Sequence, residues 1–125
     1  MTPQDQEDHR LAALAAGFKV EFRDELDSFV RWHQSKSHEV GFWGSWIPLS
    51  YSSDSFDLMV ACEIAFKSGG RSSVAAGYWV IANKIQKICE HVVYVSGDVT
   101  TKDQSAKEAI FRCAVEIGRA KESAP

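Results

Sequence analysis

Cysteine is scarce and badly spaced for any shared job. Cys62, Cys89 and Cys113 are odd in number, with no C-x-x-C pair and no Cys/His cluster at zinc spacing. That excludes a disulfide scaffold and a zinc ribbon. No run approaches the roughly 20 apolar residues that a membrane-crossing helix needs, so no membrane partner is expected. The opening MTPQDQEDHR is acidic and polar instead of basic and then apolar. It does not read as a secretory signal, and a bacterial-type cytoplasm is the expected location. Positive charge is not in excess either: the formal net charge is −3 and the pI near 5.8. Duplex binders draw much of their affinity from neutralising phosphates, so direct duplex nucleic-acid binding is not expected.

Catalytic signatures are also missing. There is no G-x-S-x-G elbow and no G-x-x-x-x-G-K-[ST] loop, and Ser68-Gly69-Gly70-Arg71 reads as a turn. His33 and His38 stand five apart with no third ligand of suitable type, so neither a metal nor a cofactor is expected. His9 lies in an acidic helix and reads as solvated, and His91 reads as a sheet-edge residue. Glu63 has Lys67 four residues on, which reads as a helical ion pair. No paired carboxylates suggest general acid–base work, and an enzyme is not expected.

What is present is an ordinary globular chain, 45% apolar and 25% charged, read as a single domain over residues 1–125. Residues 1–4 and 122–125 are expected to fray. Residues 1–27 carry three Lys or Arg against seven Asp or Glu, whereas residues 67–125 carry nine against six. Thr2, Pro3 and the first-turn acids open a helix that Gly17 stops, with Leu11, Leu14 and Ala15 on its apolar stripe. Phe18–Phe22 and Ser28–His33 alternate with period two and read as a hairpin, with a helix over residues 22–34 as the rival. Residues 35–53 read as a long aromatic loop, a length that is uncommon unless functional. Ser53, Asp54 and Asp57 open a second helix. It is striped by Phe56, Met59, Cys62, Ala65 and Phe66, and Ser68-Gly69-Gly70 ends it. Residues 74–83 and 91–95 favour strands, although Ile81, Ile85, Ile88 and Val92 also fit a helix. Thr101 and Gln104 match a capping box ahead of a last helix whose apolar face includes Ala106, Ile110, Cys113 and Ile117. Cys62 and Cys113 read as core residues. The expected architecture is α+β in the order α-β-β-α-β-β-α, with helices covering an antiparallel sheet.

Three blocks carry a resemblance. LAALAAGFKVEF at 11–22, WIPLSYSSDSFDLMVACEIAF at 46–66 and SAKEAIFRCAVEIGRAK at 105–121 resemble the phage ABA sandwich domain family of small phage and prophage proteins. The family's opening AAG-then-strand, its W-x-PL segment and its A-I-x-R-A-A-x-E-I-G helix have counterparts here in the same order, with Cys113 at the first alanine after the arginine. The resemblance implies a helix–sheet–helix fold and a mobile-element origin. Small phage proteins of this architecture include sponges that sequester cyclic nucleotide or cyclic ADP-ribose immune signals. In such a protein, arginines one turn apart on the last helix would grip phosphate. This chain keeps Arg112 but has Glu108 one turn earlier, leaving Lys107 or Arg119 as the substitute.

Two readings of function follow. In the first, the chain counters host defence by sequestering a small anionic nucleotide. Trp43, Trp46 and Tyr51 would stack the base, while Arg112 with Lys107 or Arg119 would meet the phosphates. In the second, it inhibits a host defence protein, in the manner of an anti-CRISPR, through its acidic and aromatic surface. Four Trp and seven Phe in so short a chain imply exposed aromatic surface, and a homo-oligomer is expected.

Overall fold

The first helix forms where its caps direct. In the computed structural model, α1 runs Pro3–Ala16. The Thr2 hydroxyl accepts from the Asp5 N–H at 3.1 Å, and the Asp5 carboxylate accepts from the Thr2 N–H at 3.1 Å. This capping box satisfies two amide groups that a helix start otherwise leaves open. Gly17 ends the helix at φ 75°, a conformation that costs glycine little. Ahead of the helix, the Met1 amino group lies 2.6 Å from Asp27 Oδ1. The structure describes residues 1–34, 40–71, 77–84, 90–96 and 102–123, and side chains over 1–34, 40–64, 104 and 106–123.

The hairpin forms and its helical rival does not. β1 (Val20–Arg23) pairs antiparallel with β2 (Ser28–Gln34), with Phe22 opposite Phe29. The expected loop over residues 35–53 is corrected, because Gly41–Trp46 is a third strand, β3, with Trp43 opposite Trp32 and Trp46 opposite Phe29. Its alternation is hidden in sequence because rings fall on both faces: Phe42 and Trp46 on one, Trp43 on the other. Gly41, at the start of the strand, is a steric necessity. A Cβ at Gly41 would lie 2.5 Å from Trp32 Cε2, so the indole can rest on β3 only where a side chain is missing.

The second helix is shorter than its pattern suggests. α2 spans Ser52–Ala61, and Ser53 lies inside it instead of capping it. The Asp54 carboxylate accepts from the Ile47 N–H at 2.8 Å, which anchors the first turn. Ser55, Leu58 and Cys62 face inward, whereas Phe56 is exposed. Glu63 then adopts φ 57° and turns the chain into β4 (Ile64–Arg71), so the predicted helical stretch through Phe66 is a strand. Glu63 is off the helix that was to pair it with Lys67, whose side chain is outside the described residues. β5 (Gly77–Lys84) and β6 (Glu90–Ser96) set Ile81 opposite Val92, which replaces the competing helix with a strand pair.

α3 occupies Lys102–Ser123. Thr101 lies outside the described residues, as do His38 and Cys89, and the side chain of His91 is likewise undescribed. The Gln104 side-chain amide donates to the Leu49 carbonyl at 2.9 Å, fastening α3 to the segment before α2.

The chain is α+β, and its described residues form two three-stranded antiparallel sheets ordered β1-β2-β3 and β4-β5-β6. The observed order adds a strand to each expected pair, at β3 and β4. α3 is the central element, touching α1, α2 and all three strands of the second sheet. The core joins Leu11 and Ala15 of α1, Phe29 and Trp46 of the first sheet, and Ile110, Cys113 and Ala114 of α3. α1 and α3 approach so closely at Gly118 that a Cβ there would lie 2.6 Å from the Leu11 carbonyl carbon.

Candidate functional site

Where α1 and α3 lie side by side, their polar faces enclose a cleft of about 350 Å³, within the range of small-molecule sites. α1 contributes Gln4, Asp5, Asp8 and His9, which share one helical face at spacings of three and four. α3 contributes Glu108, Phe111, Arg112, Val115, Glu116 and Arg119 on the same principle, and Leu49 closes one side.

Charge alternates along the α3 wall. Arg112 Nη2 lies 3.4 Å from Glu108 Oε1, and Arg119 Nη1 lies 2.6 Å from Glu116 Oε1. Both arginines are more than half exposed. Ion pairs of this kind contribute about 0–1 kcal/mol, so either guanidinium can turn to a ligand at little cost. On α1, Asp5 is held by Thr2. The hydrogen bond from the Thr2 backbone, more than any neighbouring charge, lowers its carboxyl pKa. Asp8 accepts a single hydrogen bond from Gln4 Nε2 at 2.8 Å.

His9 is the buried member, and its expected solvation is corrected. Only 4% exposed, it stacks on Phe29 at 5.4 Å and meets the edges of Phe111 and Trp46 at 4.6 and 6.0 Å. Its Nδ1 lies 2.6 Å from the Asp5 carbonyl oxygen. A carbonyl can only accept, so Nδ1 carries the proton and Nε2 is left as an acceptor. Burial lowers the imidazole pKa against the opposing pull of that carbonyl and of Asp5 and Asp8. The ring is therefore neutral at pH 7.

A pH effect follows. The unfolded chain takes up a proton at His9 near the ordinary value of about 6.5, whereas the folded chain resists until lower pH. The unfolded state then binds more protons, and stability falls as pH drops below about 6.5. Thermal unfolding at pH 7.5 and pH 5.5 is expected to show a larger loss for the native chain than for His9→Gln. Parallel losses in the two proteins would contradict the burial of a neutral imidazole.

Of the ligand-binding residues expected from sequence, the cleft gathers Arg112 and Arg119 and no others. Lys107 lines a separate groove of about 250 Å³ between α2 and α3, beside Ser55, Phe56 and Met59. Trp46 was expected as a loop ring open to a base, but it is 1% exposed at the centre of the core. Trp43 is on the other face of its sheet, 5.4 Å from Trp32, with Lys19 Nζ 5.8 Å and Arg23 Cζ 5.7 Å from its ring. Tyr51 is exposed at the start of α2. Sequence reasoning missed the whole α1 wall, although His9, Ala12 and Ala13 at spacings of three and four are a buried stripe.

Among the described residues, no three His, Cys, Asp or Glu side chains converge as a metal site, and no helix is long and apolar enough to cross a membrane. Compared with known proteins, the chain matches no family model, no curated protein and no solved structure.

Proposed function

We propose that this chain is a non-enzymatic binding protein that sequesters a small anionic nucleotide in the α1–α3 cleft. The observation that carries this reading is the meeting of Arg112 and Arg119 with the buried His9 in one cleft of small-molecule size. Guanidinium forks suit phosphate oxygens, which accept two parallel hydrogen bonds from one arginine. Leu49, Phe111 and Val115 offer the apolar wall that a base requires. The base-contacting role expected of Trp43, Trp46 and Tyr51 passes to this wall. The blocks that resemble phage ABA sandwich proteins support a role against host defence, with the nucleotide as an immune signal. No step of bond making or breaking is assigned to the cleft.

A second reading has an observation of its own. Val40, just before β3, and Phe42, on it, stand 69% and 59% exposed, as apolar anchors for a host defence protein would.

Calorimetry with cyclic nucleotides and cyclic ADP-ribose isomers tests the first reading. Heat is expected with at least one of them, and Arg112→Ala or Arg119→Ala should weaken binding about tenfold or more, since a charge-assisted hydrogen bond contributes about 1.5–3 kcal/mol. Silent calorimetry, together with a stoichiometric protein captured from bacterial lysate, would favour the second reading.

A further inference from the structure

We infer that the cleft selects a ribonucleotide, reading a free ribose hydroxyl beside the phosphate, and so discriminates against deoxyribonucleotides and inorganic phosphate. The inference rests on the nucleotide reading above and narrows it to one ligand class. The cleft holds more acceptors than a phosphate can use. Asp5 is already engaged by both groups of Thr2. Asp8 is bonded only by the Gln4 amide, and Glu108 and Glu116 each meet their arginine through Oε1.

Phosphate oxygens and carboxylates are both acceptors, so a bare phosphate satisfies the guanidiniums and is repelled by the acids around them. A ribose hydroxyl supplies the missing donor. A vicinal pair of hydroxyls can place both hydrogens on the two oxygens of one carboxylate. Acid and arginine stand about one helical turn apart on α3, at positions 108 and 112 and again at 116 and 119. Their charged heads meet more closely than the one-turn rise of about 5.4 Å, at 3.4 and 2.6 Å, so a phosphate draws the guanidinium off its carboxylate and a ribose hydroxyl takes the vacated acceptor. The helix thus presents a cation to the phosphate and a carboxylate to the sugar of one ligand. An unused carboxylate beside a deoxyribose would remain unpaired in the bound state, and sites built to hydrogen-bond a hydroxyl reject analogues that lack it.

Calorimetry on the full chain with AMP, 2′,3′-dideoxy-AMP, 3′,5′-cyclic AMP, its 2′-deoxy form and inorganic phosphate decides the matter. Each ribonucleotide that binds is expected to do so at least tenfold more tightly than its deoxy counterpart, and inorganic phosphate more weakly than either. The double variant Asp8→Asn, Glu116→Gln should lose affinity for the ribonucleotide and gain it for the deoxy form, because the repelling charges are gone. A merely structural role would weaken both together. Equal affinity for ribo and deoxy forms, or inorganic phosphate as tight as the nucleotide, would overturn the ribose inference and leave the nucleotide reading standing. No heat with any of these nucleotides or with the cyclic ADP-ribose isomers would overturn both.

Discussion

Gly118→Ala is expected to destabilise the fold by about 2 kcal/mol or more, against the ordinary preference of a helix for alanine. In an exposed helix interior the exchange gains about 1 kcal/mol. Here the new methyl would overlap the Leu11 carbonyl group, where α1 crosses α3. Overpacking typically costs about 1–3 kcal/mol, and the obstructing atoms are backbone that has no rotamer to escape into. Packing therefore wins over propensity. The midpoint of thermal unfolding should fall by on the order of 10 °C. Ala120→Gly, on the exposed side of the same helix, should cost only the propensity difference of about 1 kcal/mol. A Gly118→Ala protein as stable as the parent would contradict the close crossing. Because that crossing sets the spacing of the cleft walls, the same variant is expected to weaken nucleotide binding.

Trp46→Ala should cost about 3–5 kcal/mol, the usual range for emptying a buried aromatic site. That is a large part of the 5–15 kcal/mol that holds a typical domain together. The indole meets His9, Phe18 and Phe29 edge-on at 6.0, 6.2 and 6.5 Å. Its Nε1–H is buried and has no hydrogen-bond partner among the described residues. Phenylalanine would remove that orphaned donor and keep most of the volume, so Trp46→Phe should be milder than Trp46→Ala. Trp43→Ala, on the partly exposed outer face, should cost only about 1 kcal/mol. Chemical denaturation of the three variants gives the ranking. A Trp46→Ala protein that keeps native stability yet loses nucleotide binding would move this ring from the core into the site.

How far the fold was readable in the chain depended on whether the cue was local. The Thr2–Asp5 capping box and Gly17 bracket α1 without help from the rest of the molecule. β1 and β2 announce themselves by alternation. β3 does not, because its rings point both ways and Gly41 makes room for Trp32. The end of α2 is hidden for another reason. A glutamate in the left-handed region leaves no compositional trace, and Ala65 and Phe66 extend the apolar stripe beyond it. At the site, Arg112 and Arg119 could be picked out as cations on a helix. Their opposite wall depends on which helix docks on α3, and a charged-looking stretch around His9 conceals the buried ring. Trp43 and Arg112 were grouped by chemistry, and the sheet separates them.

An amide-resolved NMR titration with the nucleotide that gives the strongest calorimetric signal is the most direct test of where that ligand is held. Shifts are expected to concentrate at residues 4–9 and 108–119, leaving Lys19, Trp32 and Trp43 unmoved. Shifts centred on that outer sheet face, or none at saturating nucleotide, would contradict the account.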